Sequence, residues 1–228
     1  MLTVCQKICV KKQFSINIET YEIQYLFKLQ TVIHMLFQLN FPTQQQLDAL
    51  IIEQKDKPFS YPKSDKVLRG FIYDNNRILL GEGDAVFKAA SQAIRQWTMF
   101  SGGWARIYSD TTPIEVGRVV VMCAQVMGLW WLNCSRIIYT VNEANRFGFA
   151  YGTLHHHAES GEELFQVKMY ENGEVYYEIQ AFSRPRHWMA RLGFPLARYF
   201  QRQFVKDSLK NMKKVTDELL KTETKLVR

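Results

Sequence analysis

From Trp104 to Phe182 the chain never sustains a helical period. It breaks into short β-branched and aromatic runs with turn residues between them, and no other stretch narrows the possible folds so far. The runs lie at about 104–108, 116–124, 131–141, 145–153, 162–170 and 174–182, and "ENGE" at 171–174 holds Asn-Gly, the strongest short hairpin signal. Neighbouring runs are joined by too few residues for a parallel crossover, so they must pair antiparallel. The spacing therefore predicts a meander of six strands.

After "FSRPRHW" the pattern turns helical. Pro195 suits a first helical turn, and Leu196, Phe200, Phe204, Leu209, Met212, Val215 and Leu219 form one long apolar stripe. Arg198, Arg202, Lys206, Lys210 and Lys214 follow one another at i+4 on another face. Residues 184–228 hold twelve Lys and Arg against four Asp and Glu, and the preceding 183 residues seventeen against eighteen, so the net charge of +7 belongs to this segment. Such a row is ordinarily a solvated face. The sharper alternative is a membrane-surface or partner-binding role, through contact of this row with anionic lipid or nucleic acid; without interleaved exposed aromatics the solvated face is the reading kept, and nucleic acid is not expected.

Ahead of the meander, "NRILLGEGDAVFKAASQAIRQW" gives a strand over Arg77 to Leu80, a glycine turn, and a helix N-capped by Asp84 with Phe87, Ala90, Ile94 and Trp97 at helical spacing. Gly81-Glu82-Gly83 is not a phosphate loop, since Val86 stands where a third glycine is required and no Lys-Ser/Thr follows. Further upstream, "KDKPFSYPKSD" at 55–65 is a loop, and Pro42-Thr43 introduce a helix with Leu47, Leu50 and Ile51 on one side. Residues 1–34 show no helical stripe and read as an N-terminal extension or a non-native start; 35–222 read as one domain and 223–228 as a tail.

Four cysteines without a CxxC pair, and no signal-peptide pattern, point to a reducing, cytoplasmic setting. Cys5 and Cys9 have no further ligand nearby, so neither a metal nor a cofactor is assigned. The apolar stretch from Val119 to Val141 has the length of a membrane span. It carries Gln125, Asn133 and Arg136 and is rich in β-branched residues, so it reads as two buried strands around a turn and no transmembrane segment is expected.

Strand, helix, six antiparallel strands and a long C-terminal helix make an α+β chain in the order of the helix-grip plan. In that plan a curved antiparallel sheet of about six to seven strands wraps a long helix and leaves a cavity between them; the order resembles the START and birch-pollen-allergen (Bet v 1) superfamily. A more specific resemblance lies at 151–165: "YGTL", then His157, "GEE" at 161–163 and Phe165 are similar to the signature of the domain of unknown function 1990 family, the UPF0548 proteins. "LGEG…F…A" at 80–90, Trp97, Trp104 and "FSRP…RLGFP…R..Q" from Phe182 to Gln201 fall in the same order. The resemblance covers Met35 to about 215; it implies a helix-grip-like fold and no established activity.

The histidines and glutamates of 151–165 raise the question of chemistry. By alternation Phe147, Phe149 and Tyr151 share a face, with the small residues Gly148, Ala150 and Gly152 opposite, leaving room there for a helix or ligand. Phe165, Val167 and Met169 share a face in the next strand; carried backward, the period puts Glu163 with them and Glu162 opposite, and a one-residue slip would exchange the two. Three roles suit these residues. His155, His157 and Glu163 could ligate a metal, although His155 matches no position of the family signature. Glu163, His157 and Tyr151 could form an acid-base site. Or the Glu pair and His157 latch the hairpin connection to backbone amides and to an arginine such as Arg184 or Arg191. The latch is the role favoured here.

At 126–131, "VMGLWW" reads as a hairpin tip whose Leu129, Trp130 and Trp131 either pack under the C-terminal helix or cover the cavity mouth or a membrane surface. The leading expectation is a noncatalytic or weakly catalytic binder of a small apolar or amphipathic molecule, the cavity lined by Phe147, Phe149, Tyr151, Phe165, Val167, Met169 and Tyr177 with Trp130 and Trp131 at its mouth, and Glu163 or His157 orienting a polar end. A cyclase, isomerase or hydrolase using Glu163 and His157 is the alternative from another class.

Overall fold

The computed structural model describes residues 37–62, 69–108, 113–186 and 194–226. The expected N-terminal extension, with Cys5 and Cys9, lies outside them, as does Arg191. The elements run β1 (Phe37–Gln38), α1 (Gln44–Gln54), β2 (Ile72–Glu82), α2 (Gly83–Arg95), a 3-10 turn (Thr98–Phe100), β3 (Ala105–Tyr108), β4 (Val119–Val126), β5 (Leu129–Asn142), β6 (Arg146–Thr153), β7 (Glu159–Met169), β8 (Glu174–Pro185) and α3 (Phe194–Leu226). All pairings are antiparallel, in the spatial order β2-β8-β7-β6-β5-β4-β3, with β1 alongside the start of β5. The curled sheet closes over α2 and α3, which is the helix-grip arrangement.

Local chemistry explains most boundaries. Thr43 and Gln46 form a reciprocal capping box at the start of α1: Thr43 N–H donates to Gln46 Oε1 at 2.8 Å, and Gln46 N–H to Thr43 Oγ1 at 3.3 Å. Met127 and Gly128, at φ 52° and 79°, make the two-residue turn between β4 and β5, so the apolar stretch at 119–141 is a hairpin. Among the described residues no helix is long and apolar enough to cross a membrane.

Two expectations need correction. Asp84 is not the cap of α2: β2 runs straight into the helix, Glu82 stands at the N-cap without a side-chain bond, and Asp84 sits in the first turn, where its charge suits the helix dipole. The strand expected at Arg77 to Leu80 starts at Ile72, because β8 offers a partner along its whole length and polar Asp74 and Asn76 alternate inward with Ile78 and Leu80. The last helix runs to Leu226.

The inner core joins sheet, α2 and α3: Trp97, Phe149, Phe165, Tyr177, Ile179 and Met212 are each at most 1% exposed, and burying side chains of this size contributes roughly 1.5–3 kcal/mol apiece. Ala89, Ala90 and Ala93 are buried along α2, small residues that suit close packing of helix and sheet. Tyr177 Oη and Ser208 Oγ share a hydrogen bond of 3.0 Å, which satisfies both polar groups inside this core. A second cluster covers the outer face of the sheet, where Leu47 and Leu50 of α1 meet Val121, Cys123, Trp130, Leu132 and Cys134.

Candidate functional site

The space between sheet and α3 is divided. At one end it is filled: Trp97 and Phe100, from the turn after α2, reach the sheet, with ring centroids 4.9 Å apart for Trp97 and Phe149 and 5.6 Å for Phe100 and Phe165. Phe149, Phe165, Val167 and Tyr177 therefore belong to the closed core; Phe147, under the Arg95 guanidinium, and Met169 pack at its margin. These six residues do not line the cavity, contrary to the sequence expectation, because α2 and its following turn occupy that half of the grip.

At the other end a cavity of about 590 Å³ lies open beneath the first half of α3. Its apolar wall comes from Trp104, Met122, Trp131, Ile179, Phe200 and Leu209, among others. Trp131 thus faces the cavity, whereas Trp130, its neighbour on a strand, points to the opposite face and meets Phe41 edge-on at 4.8 Å. Trp130 is a core residue of the outer layer, and Met127 is the apolar residue exposed at the tip.

Polar groups gather on one wall. Tyr151 and Glu163 are directly opposed on β6 and β7, and Tyr151 Oη donates to Glu163 Oε2 at 2.7 Å. Burial above all, opposed by the Tyr151 hydroxyl and helped by Glu159 and Asp74, pushes the Glu163 carboxyl up from 4.5 to about 7. Glu162 projects to the other face, where it bonds Tyr61. Glu159, two pleats from Glu163 on the same face, is bonded by Ser183 and Gln201; burial raises its pKa, with the two donors and Arg198 opposing. Arg198, from α3, forks onto both oxygens of Asp74, one at 2.6 Å.

His157 also lines the cavity. The Glu159 N–H donates to its Nδ1 at 3.0 Å, so the neutral ring carries its proton on Nε2. Burial, helped by His156 and Arg186, pushes its pKa down to about 3, and His157 is neutral over the physiological range. Its neighbour Asn133 accepts from Ala158 N–H at 3.2 Å and helps hold the connection. His155 is exposed, with Nδ1 3.1 Å from Pro58 O, so it does not join His157 and Glu163. Among the described residues no group of three His, Cys, Asp or Glu is placed to hold a metal ion.

The sequence brought Tyr151, His157, Glu163 and Trp131 into view. It missed Asp74, Glu159, Asn133, Gln201 and the pairing of Arg198, which the i+4 row had placed on a solvated face. Strict alternation from Ile72 to Leu80 was the signal available for Asp74. The latch expected from an arginine to Glu163 is not made by Arg184, which lies over the Phe71 ring. Gly152 leaves room for neither helix nor ligand: a Cβ there would lie 2.2 Å from Tyr61 Oη, a side chain of the 55–62 loop.

The chain matches the model of the domain of unknown function DUF1990 over residues 60–211. It is 33% identical over 199 residues to a UPF0548 protein of Dictyostelium discoideum, covering 76% of this chain and 92% of that one. It is 32% identical over 146 residues to a UPF0548 protein of Arabidopsis thaliana, covering 61% and 70%. Among solved structures it is similar to Ara h 8.0201, with 11% identity, a TM-score of 0.41, and 63% and 98% of the chains covered. It is also similar to norcoclaurine synthase of Thalictrum, with 10% identity, a TM-score of 0.44, and 69% and 99% covered. By the family model and these relatives, the chain belongs to the DUF1990 (UPF0548) family.

Proposed function

We propose that this protein binds a small amphipathic molecule between the sheet and the first half of α3. The observation that carries this reading is the cavity of about 590 Å³, apolar on most sides and polar on the wall formed by Tyr151, His157, Glu159 and Glu163. A volume in this range suits a compact organic ligand, and convergent polar groups on an apolar wall are what orients one. Trp104 and Trp131 lie in the lining and report occupancy by their fluorescence. Ala181, also in the lining and cross-strand from Glu163, supplies the test. Ala181→Phe fills space beside the carboxyl, so it should abolish ligand-induced fluorescence change while the folded protein keeps its circular dichroism. Undiminished binding by that variant would place the ligand elsewhere.

A second reading is acid-base catalysis on the bound molecule. It is favoured by one observation, a carboxyl brought to about 7 and hydrogen-bonded to a tyrosine at the cavity wall. Turnover separates the two: Glu163→Gln abolishes it in a catalyst, whereas a pure binding site shows no turnover to lose.

A further inference from the structure

The polar wall of the cavity has a sign. Glu163 is faced by Tyr151 from β6, Glu159 from its own strand, Asp74 from β2 and Tyr177 from β8, and Arg198 from α3 and His157 from the β6–β7 connection line the same cavity. His157 is neutral, and neither tyrosine ionises there. The positive charge of Arg198 is taken by Asp74 through both terminal nitrogens. Glu159 already holds two donors, from Ser183 and Gln201. Among the described residues, what faces the ligand is therefore a carboxyl group with one oxygen bonded to Tyr151 and no cation paired with it. Arg202 and Lys206 complete the helix side of the lining, but both are exposed, and solvent and salt weaken their reach.

We propose that the cavity selects a ligand with a protonated amine at its polar end, ion-paired with Glu163, and an apolar body against Trp131, Ile179 and Leu209. This rests on the cavity being a ligand site and specifies its chemical class. An anionic head would be repelled by Glu159 and by Glu163 itself, and would find the guanidinium of Arg198 occupied. A buried carboxylate without a cation is costly, and the ammonium group supplies that cation. Starting from the acid form, the balance is RNH3+ plus Glu163-COOH giving the ion pair and one proton to solvent. Burial holds the empty site partly in that acid form near neutral pH.

Three probes of equal chain length decide the matter: octylamine, 1-octanol and octanoate, titrated calorimetrically into the intact chain at pH 6 and pH 8. Octylamine, cationic throughout, should bind at least about tenfold more tightly than octanol at pH 8 and lose about tenfold at pH 6, while octanol stays flat. Measured at pH 6 in two buffers of different ionisation enthalpy, its binding should release close to one proton. Glu163→Gln should bring octylamine down to the level of octanol and leave octanol unchanged. Octanol or octanoate binding as tightly as octylamine in the native chain, or no proton release, overturns the amine assignment and leaves the cavity reading standing. Failure of all three probes to bind overturns the cavity reading itself.

Discussion

Replacing Glu163 by glutamine should stabilise the protein at alkaline pH, the opposite of what a structural latch would do. In the folded chain the carboxyl titrates at about 7 instead of 4.5. Between those values the native state binds more protons than the unfolded one, so stability falls as pH rises through the window. The difference of about 2.5 units, at ~1.4 kcal/mol each, makes ionised Glu163 an upper-limit burden of about 3 kcal/mol above pH 7 and none below pH 4.5. Glutamine keeps an acceptor for Tyr151 Oη and carries no charge. In urea unfolding, Glu163→Gln should match the native chain within about 1 kcal/mol at pH 4.5 and exceed it by about 2–3 kcal/mol at pH 8. A variant that is less stable by the same amount at both pH values would refute this and make Glu163 a latch.

Other substitutions probe the frame of the site. His157→Gln should cost stability at pH 8, and the gap to the native chain should narrow by about 2 kcal/mol between pH 7 and pH 5. The reason is that the native ring, held down to about 3, stays neutral when folded but takes up a proton on unfolding below 6.5; a constant gap in urea curves would contradict this. Arg136 donates from one nitrogen to the carbonyls of Gln54, Lys55 and Lys57, closing the end of α1. Arg136→Ala should therefore lower stability by about 2 kcal/mol without altering cavity binding, and a parallel loss of ligand affinity would show that α1 is coupled to the site. Gly152→Ala pushes a Cβ into Tyr61 Oη, with Phe59 Cδ1 and Ile138 Cδ1 each 3.0 Å away. Expelling the buried Tyr61 ring should cost about 2–3 kcal/mol, and Tyr61→Ala in the same background should recover part of it; no recovery would locate the strain elsewhere.

The meander and the long helix were legible because period-2 alternation and turn residues are local signals, and six runs survive as β3 to β8 with ends shifted by a few residues. The Glu163 side of β7 was legible for the same reason. What the sequence hid is where the grip is full. Phe149 and Phe165 are on the inner face as their alternation says, yet whether an inner residue meets ligand or core is decided by Trp97 and Phe100 arriving from another part of the chain. Asp74 and Arg198 were hidden likewise: 124 residues separate them, and neither spacing nor composition announces their pairing. Trp130 and Trp131 were read together, yet alternation along the strand parts them: one is covered by Phe41 and α1 and the other lines the cavity.

Native mass spectrometry of the gently purified protein, followed by denaturing analysis of what is released, tests the cavity most directly. A reproducible small molecule should come off, one per chain, displaced by octylamine and absent from Ala181→Phe. The bare polypeptide mass from every expression host, with no adduct formed when octylamine or octanol is added, would contradict it.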